Sequence, residues 1–261
     1  MRTAAAYITD LAARGRYHFT TAEAATALGV SFPAVRAALR RLKRRGELAD
    51  PHRGFHAIVP PEYRRLGCLP AEQFVPQLME HLGVNYYVAL LSAAEAHGAA
   101  HHRPQSFQVM LAKNRRPIAC GQVRVQFVAR HDLARTPTVE RNTPRGRVRF
   151  SSPEATALEL VGYAEHCGGL DNVASVMAEL AEELDASKLV GASCASPIAW
   201  VQRLGYLLDL TGHSDLADAL VRHVRERVTV VAPLVRTKSI TRAPRAERWM
   251  LAINASVEPD A

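Results

Sequence analysis

The 261-residue sequence has only four cysteines, and none of them lies in a C-x-x-C pair. Structural zinc sites need ligands held close together on tight turns, and this spacing is missing here. Free cysteine is among the most buried residue types, which predicts reduced and mostly buried thiols. We therefore expect no metal and no cofactor on these residues: Cys68, Cys120, Cys167 and Cys194.

Long apolar runs are also missing, since no segment approaches the ~20 residues that cross a bilayer. At the N-terminus, Asp10 and the helical spacing of Tyr7, Ile8 and Leu11 favour a folded helix over a signal peptide. These features predict a cytoplasmic protein. The hydrophobic content of 48% is ordinary for a globular protein, and the length suits two or three domains.

Residue patterns typical of catalysis are absent as well. His97 and His101 are four residues apart, but Gly98 stands where a zinc-protease helix requires glutamate. The strand patterns at residues 106–111 and 123–129 carry no Asp or Glu, the oxygen ligands that a metal-dependent nuclease needs. The sequence therefore predicts a protein that is not an enzyme and has no metal site.

The stretch that starts at Phe19 contains two short helical patterns separated by a glycine. Thr20 and Glu23 have the spacing of a capping box, in which the two side chains satisfy backbone N–H groups at a helix start. That helix should end at Leu28, because Gly29 supplies the left-handed turn residue that commonly follows a helix.

The second helical pattern covers residues 32–45, with Ser31 as its cap. Val35, Leu39 and Leu42 recur at four and three residues, which predicts a buried stripe. The opposite face carries small or polar residues first and cations further along. The alternative to a binding role is a solvated basic helix, whose cations suit the dipole at its own C-terminus.

A hairpin follows, with strands predicted at residues 47–49 and 55–59 and a loop containing Pro51, His52, Arg53 and Gly54. The order of helix, turn, basic helix and hairpin is that of a winged helix-turn-helix, which reads double-stranded DNA with the N-terminal end of its recognition helix. The predicted DNA-binding residues are Thr20, Thr21, Ser31, Phe32, Arg36, Arg40, Lys43, Arg44, His52 and Arg53.

Within this set, Ser31, Phe32 and Arg36 are placed to meet base edges. Three cations further along the helix are expected nearer the phosphates: Arg40, Lys43 and Arg44. His52 and Arg53, in the wing, can reach the backbone or the minor groove.

The formal net charge of +8 is unevenly distributed. Residues 1–60 hold 10 Lys/Arg against 4 Asp/Glu, and residues 100–150 hold 11 against 2, whereas residues 151–227 are acidic. Basic surfaces favour polyanions, because each neutralised phosphate releases counterions. The second basic block is a candidate surface for DNA or RNA, or equally a solvated strand edge blunted by cations: Lys113, Arg115, Arg116, Arg145, Arg147 and Arg149.

Beyond the wing, the alternation of residues predicts strands at 106–111, 123–129, 147–150, 228–231 and 248–254. Helices are predicted at 73–81, 86–98, 151–167, 171–184, 186–191, 197–210 and 214–227. Ser151 and Glu154 have the spacing of a second capping box. The predicted fold class is α+β: a winged helix at 1–60, an α/β part with a small mixed sheet at 61–150, and a mainly helical, bundle-like part at 151–261.

Nearly the whole chain resembles the AbiEi antitoxins of type IV toxin–antitoxin systems, which are also described as predicted regulators of viral (phage) defence. The resemblance is carried by the winged helix and by segments that follow in a fixed order, among them YYVALLSAAEAHGAAHHRPQSFQVML from Tyr86, SSPEATALELV from Ser151, RLGYLLDLTG from Arg203 and RWMLAINASVEPD near the C-terminus.

This resemblance implies an N-terminal domain that represses its own operon at inverted repeats, with contacts from Ser31, Phe32, Arg36, Arg40 and Arg53. It further implies a C-terminal domain that neutralises a toxin of nucleotidyltransferase fold, directly or indirectly. We expect a monomer in solution, since the sequence contains no exposed heptad repeat that would indicate a dimer interface. Two alternatives remain: a one-component regulator with a small-molecule effector, and a DNA-processing enzyme.

Overall fold

The structure is a computed structural model that describes residues 3–99 and 104–258, so His101 lies outside the described residues. Its helices are α1 (Ala4–Ala13), α2 (Thr21–Leu28), α3 (Phe32–Arg44), α4 (Val75–His81), α5 (Leu90–Ala96), α6 (Pro153–Gly162), α7 (Leu170–Leu180), α8 (Ala186–Cys194), α9 (Ile198–Leu210) and α10 (Ser214–Arg227). Its strands are β1 (His18–Thr20), β2 (Leu48–His52), β3 (Phe55–Ile58), β4 (Tyr86–Val88), β5 (Phe107–Leu111), β6 (Ile118–Cys120), β7 (Val123–Ala129), β8 (Thr138–Thr143), β9 (Gly146–Ser151), β10 (Ala232–Pro233), β11 (Arg245–Ala246) and β12 (Leu251–Ala252).

These elements confirm the α+β class, with a small wing sheet in the order β1-β3-β2 and a larger mixed sheet in the order β6-β7-β5-β4-β9-β8. The chain groups into two compact units. The first unit comprises Met1–Tyr87, Gln105–His131 and Glu140–Arg149, and the second comprises Val88–Pro104, Asp132–Val139 and Phe150–Ala261. These units do not coincide with the three predicted segments, whose boundaries at residues 60 and 150 remain a prediction.

The first unit begins with the predicted winged helix. Thr20 and Glu23 form the complete capping box of α2, and Gly29 ends that helix in the left-handed conformation at φ 63°. The stripe of Val35, Leu39 and Leu42 is buried, as predicted. A winged-helix core forms around it from α1, α2, α3 and the wing sheet, and its members include Tyr7, Ile8, Phe19, Leu28, Leu48 and Ile58.

The wing departs from prediction in two ways. Residues 18–20 form β1, which the sequence did not indicate because three residues carry little periodicity; β1 pairs antiparallel with β3. Strand β2 also runs on through Pro51 to His52, so the turn is reduced to Arg53 and Gly54. A register shift between Ala49 and His52 accommodates the proline, which cannot donate to a strand ladder.

A second core in this unit, the sheet core, lies under β5, β6 and β7. Strands β5 and β7 pair in parallel from Phe107↔Val125 to Leu111↔Ala129, while β6 pairs antiparallel with β7. The sheet core contains buried residues from several segments of the unit, including Phe55, Ala57, Phe74, Leu78, Val109 and Val125.

The helix predicted at residues 86–98 is wrong in its first part. Residues 86–88 form β4, and α5 starts only at Leu90, whose φ of 55° breaks the backbone direction. Val88 pairs in parallel with Phe150 of β9. The β-favouring run Tyr86-Tyr87-Val88 therefore follows its strand preference once a partner strand is present.

The second unit is mainly helical, as predicted for residues 151–261. Its first long helix, α6, is capped by Ser152, which accepts from the Ala155 N–H, and not by Ser151 as predicted. The Ser151 hydroxyl instead lies 2.7 Å from that of Thr156. Residues 228–231 are not a strand, because the small terminal sheet, in the order β10-β12-β11, begins at Ala232.

All four cysteines are free thiols; Cys68, Cys120 and Cys167 are buried and Cys194 is exposed. Burial raises the pKa of the Cys167 thiol to about 12. No helix within residues 3–99 and 104–258 combines the length and the apolar character needed to cross a membrane.

A matched pair of glycines tests the packing of the second unit. At Gly205 in α9, an added Cβ would lie 2.2 Å from the ring of Trp249, which is 1% exposed. At Gly191 in α8, the same Cβ meets nothing within 4 Å. We expect Gly205→Ala to destabilise the protein by about 1–3 kcal/mol through overpacking. Gly191→Ala should instead stabilise it by roughly 0.5–1 kcal/mol, because alanine loses less backbone entropy in a helix.

Urea unfolding of the two variants beside the wild type measures both effects. Equal shifts in the same direction would contradict the packing of Trp249 against α9.

Candidate nucleic-acid interface

The face of α3 opposite its buried stripe is exposed and cationic. Phe32, at the first position of the helix, is 50% exposed. The side chains of Arg36, Arg40 and Arg44 are exposed, and they form no ion pair with any residue that the structure describes. Charges without an internal partner are available to an external polyanion at little desolvation cost.

A groove of about 640 Å³ runs beside the start of α3. Four parts of the first unit border it: the start of α2, the start of α3, the wing and the end of α4. The residues that line it are Thr20, Thr21, Ala22, Phe32, Arg36, Asp50, His52, Arg53, Gly54, His56 and His81. Most of the predicted base-contacting and wing residues are thus brought to one concave surface.

A chain of hydrogen bonds connects α3 to α2 across the wing sheet. The Nζ of Lys43 donates to Asp50 Oδ2 at 2.6 Å, and Asp50 Oδ1 lies 2.8 Å from His56 Nδ1. On the other side of the ring, His56 Nε2 lies 2.8 Å from Thr21 Oγ1. This chain fixes the position of α3 relative to the wing and to the start of α2.

The hydrogen-bond chain also determines which polar groups of its residues are free to bind a ligand. Because the Asp50 carboxylate can only accept, Nδ1 of His56 donates to it, and Nε2 of the same ring contacts the Thr21 hydroxyl. The Thr21 hydroxyl is therefore already engaged within the fold. The hydrogen bond from His56 and then the Lys43 ammonium hold the pKa of Asp50 below its ordinary value, although burial opposes this.

Three of the predicted contact residues differ in how far their polar groups are already used within the fold. The Lys43 charge is compensated by Asp50, which sets this residue apart from the unpaired arginines of α3. The Thr20 hydroxyl accepts a hydrogen bond from the backbone N–H of Glu23 and thereby caps α2. Ser31 occupies the cap position of α3 but makes no side-chain cap bond, so its hydroxyl is not used by the helix.

The turn at the tip of the wing contacts the start of α2, so only part of the wing is surrounded by solvent. The backbone N–H of Thr21 donates to the Gly54 carbonyl at 2.9 Å, which ties the turn to the start of α2. Gly54 has a φ of 81°, a conformation that glycine adopts without strain. Arg53 is exposed at this tip, whereas His52 Nδ1 lies 3.1 Å from the Arg53 carbonyl.

The predicted second basic surface separates into two groups. Lys113, Arg115 and Arg116 lie on the connection from β5 to β6. Arg115 and Arg116 border a small cavity of about 130 Å³ together with His52 of the wing. Arg115 and Arg116 therefore lie close to the wing.

The other group lies on the hairpin of β8 and β9 and comprises Arg145, Arg147 and Arg149. Two of these three side chains contact other residues of the protein. The guanidinium of Arg145 lies 3.3 Å from the ring centroid of Tyr17, and its Nε donates to Gln73 Oε1 at 2.6 Å. Arg145 thus stabilises the first unit, which corrects its assignment to an open surface. Arg147 pairs with Glu140 at 3.5 Å, and Arg149 is exposed on the same strand.

Three further residues line the groove that the sequence patterns did not predict: Asp50, His56 and His81. Asp50 and His56 stand on paired strands on either side of the wing turn, a signal that becomes visible only once the register of the hairpin is known. Residues 3–99 and 104–258 contain no cluster of three or more His, Cys, Asp or Glu side chains that could hold a metal ion.

Replacing Asp50 tests the hydrogen-bond chain. Its lowered pKa means that ionised Asp50 contributes stability above its ordinary pKa and loses this contribution as the pH falls through the folded value. We expect Asp50→Asn to destabilise the protein by about 1–2 kcal/mol at pH 7, a value reduced by partial solvent screening. The difference from wild type should shrink below about pH 4.

Urea unfolding at several pH values measures this difference. In a background of His56→Gln, which removes the first partner of Asp50, the cost of Asp50→Asn should fall. A cost independent of pH and of His56 would rule out the chain as described.

Comparison with known proteins gives two family matches. A model described as "Transcriptional regulator, AbiEi antitoxin" matches residues 7–59, and one described as "AbiEi antitoxin C-terminal domain" matches residues 87–210. No curated protein matches the chain.

Among solved structures, the chain is similar to the RV2827C protein from Mycobacterium tuberculosis, with 20% identity and a TM-score of 0.68 over 95% of this chain and 90% of that one. This likeness shows the fold alone. An antigenic nucleotidyltransferase-like protein from Paracoccidioides brasiliensis has 12% identity and a TM-score of 0.31, over 60% of this chain and 87% of that one, which is too low to support an argument. The two family models together span about two thirds of the sequence, in the order of winged helix and then C-terminal domain, and the chain therefore belongs to the AbiEi antitoxin family.

Proposed function

We propose that this protein represses its own operon by binding inverted repeats through the winged helix, and that it neutralises a cognate toxin of nucleotidyltransferase type. The first part concerns the groove beside α3. Phe32 and Arg36 line it from the helix start, and Arg53 lines it from the wing. A recognition helix places this end against base edges, where an arginine can form two hydrogen bonds to guanine.

One observation carries the DNA-binding proposal: the exposed arginines of α3 have no internal ion-pair partner among the described residues, whereas Lys43 and Arg45 do. If α3 were merely a solvated helix, its cations would be expected to pair with whichever carboxylates lie near. Here the paired cations are Lys43, beside the wing sheet, and Arg45, at the end of the helix. The unpaired arginines lie along the outer face of α3. We further propose that Lys113, Arg115 and Arg116, on the connection that borders the wing at His52, contact flanking phosphates.

The second part rests on family membership. The match to the AbiEi C-terminal domain covers residues 87–210, and the second compact unit begins at Val88. We assign toxin neutralisation to that unit, by direct binding or through a shared target. We further propose that the protein has no enzymatic activity, acts in the cytoplasm and is a monomer before it meets its operator.

Operator binding tests the recognition helix. With DNA from the protein's own promoter, Arg36→Ala should cost ~1–3 kcal/mol and relax the base preference, because a base contact is lost. Arg44→Ala should weaken binding to all sequences alike and lower the slope of log K against log salt by about one, because a phosphate contact is lost. Fluorescence anisotropy at several salt concentrations measures both quantities.

Arg222→Ala is the matched control, since it removes one exposed arginine of α10 that is already paired with Glu226. It should leave affinity and slope unchanged. Undiminished binding by an Arg36→Ala, Arg40→Ala double variant would remove the recognition-helix assignment.

Growth rescue tests the antitoxin half separately. Full-length protein should restore growth to cells that express the toxin encoded beside it. The Arg36→Ala, Arg40→Ala double variant should rescue equally well, because its changes lie on α3 of the first unit. Failure of the wild-type chain to rescue would refute neutralisation, and failure of the double variant alone would show that rescue depends on DNA binding.

A further inference from the structure

The second unit contains a cavity of about 570 Å³ that neither part of the proposed function uses. This volume lies within the range of small-molecule sites, roughly 300–1,000 Å³. Helix α9, the end of α6 and the segment after β10 all contribute to its walls. The side chains that matter for its chemistry are Tyr163, Trp200, Arg203 and Arg236.

Arg203 is a buried cation at this cavity, with only 4% of its surface exposed. Its Nε donates to the Pro233 carbonyl at 3.0 Å, and it forms no ion pair within residues 3–99 and 104–258. Burial and then the like charge of Arg236 lower the pKa of the guanidinium, with no carboxylate acting in the opposite direction. Burying an uncompensated cation costs free energy, which a bound anion would offset.

Arg236 brings a second cation to the same cavity from a segment that is held in place. Asn254 holds this segment on both sides of Arg236. Its Oδ1 accepts from the Val235 N–H at 2.9 Å, and its Nδ2 donates to the carbonyls of Val235 at 2.9 Å and of Lys238 at 2.8 Å. The backbone on both sides of Arg236 is therefore fixed, and the exposed Arg236 side chain starts from a defined position at the cavity.

Aromatic rings form another wall. Tyr163 and Trp200 are half-buried and meet edge to face, with ring centroids 5.2 Å apart. Trp200 and Arg203 are three residues apart on α9, so they share one face of the helix. Gly162 makes room for the indole, since a Cβ at that position would lie 2.3 Å from the Trp200 ring.

One acidic residue also borders the cavity. Glu165 is exposed at its border and forms no ion pair with either arginine in the described residues. The two guanidinium groups thus keep an uncompensated positive charge beside a flat aromatic surface. Arginine forks match phosphate oxygens, and indole and phenol rings stack on planar bases.

We propose that this cavity binds a nucleoside phosphate, with its phosphate on Arg203 and Arg236 and its base against Trp200 and Tyr163. The site goes beyond repression and neutralisation, neither of which requires a small ligand.

Calorimetric titration of the full-length protein with ATP, CTP, GTP and UTP tests the proposal. At least one nucleotide should bind saturably with one site per chain, and absence of saturable binding by all four would overturn the proposal. Adenosine alone and inorganic phosphate alone should each bind more weakly than the preferred nucleotide. Phosphate binding as tight as that of the nucleotide would refute the base subsite.

Variants locate the site. Arg236→Ala and the charge-conserving Arg203→Lys should each weaken binding about tenfold, because each removes one arginine fork from the phosphate. Arg245→Ala removes the same charge as Arg236→Ala from an exposed position on β11, outside the cavity, and should change affinity less than about twofold. Equal weakening by Arg236→Ala and Arg245→Ala would show diffuse attraction in place of a site.

Fluorescence gives an independent readout, since the chain has two tryptophans and Trp249 is buried in the core. Nucleotide binding should change the emission of wild type, and Trp200→Phe should abolish that change while calorimetric binding persists. A change that survives in Trp200→Phe would place the nucleotide elsewhere.

Discussion

Burial of one short strand on both faces is the constraint on which the first unit depends. Strand β3 is the middle strand of the wing sheet, and all four of its residues are buried. Ile58 belongs to the winged-helix core, whereas Phe55 and Ala57 belong to the sheet core. Side chains alternate between the two faces of a strand, so β3 serves two cores at once. The winged helix consequently shares buried residues with the rest of the first compact unit.

This arrangement explains how the residues proposed to face DNA are fixed. The turn after β2 places Gly54 against the start of α2, and His56 of β3 joins Asp50 and Thr21 in one hydrogen-bond chain. Rigid support of this kind lowers the entropy lost when a surface orders on its partner. The arginines on the outer face of α3 are left out of the chain, which keeps their charge available.

The structural features that the sequence predicted correctly are those that depend on residues close together in the chain. The capping box of Thr20 and Glu23, the turn at Gly29 and the stripe of Val35, Leu39 and Leu42 each depend on residues a few positions apart, and all are present. For the same reason, α10 begins and ends at the predicted residues. The basic face of α3 also followed from its spacing, although its role on DNA remains a proposal.

The errors arose where a distant partner decides the outcome. Tyr86 to Val88 fit a helix or a strand, and pairing of Val88 with Phe150 selects the strand. Ser151 and Ser152 are chemically equivalent as caps, but Ser151 is the last residue of β9, which pairs with the distant β4, and this leaves the cap to Ser152. Lys43 and Arg145 looked like open cations, but Asp50 and Tyr17 reach them only through the folded sheet.

The double burial of β3 has a consequence for how the protein can be divided. A fragment that stops after the wing would keep Ile58 covered but would expose Phe55 and Ala57 to water along a strand. Apolar side chains on an uncovered sheet face favour self-association. The part of this chain proposed to bind DNA is therefore expected to stay monomeric most readily when it is produced together with the sheet core that covers Phe55 and Ala57.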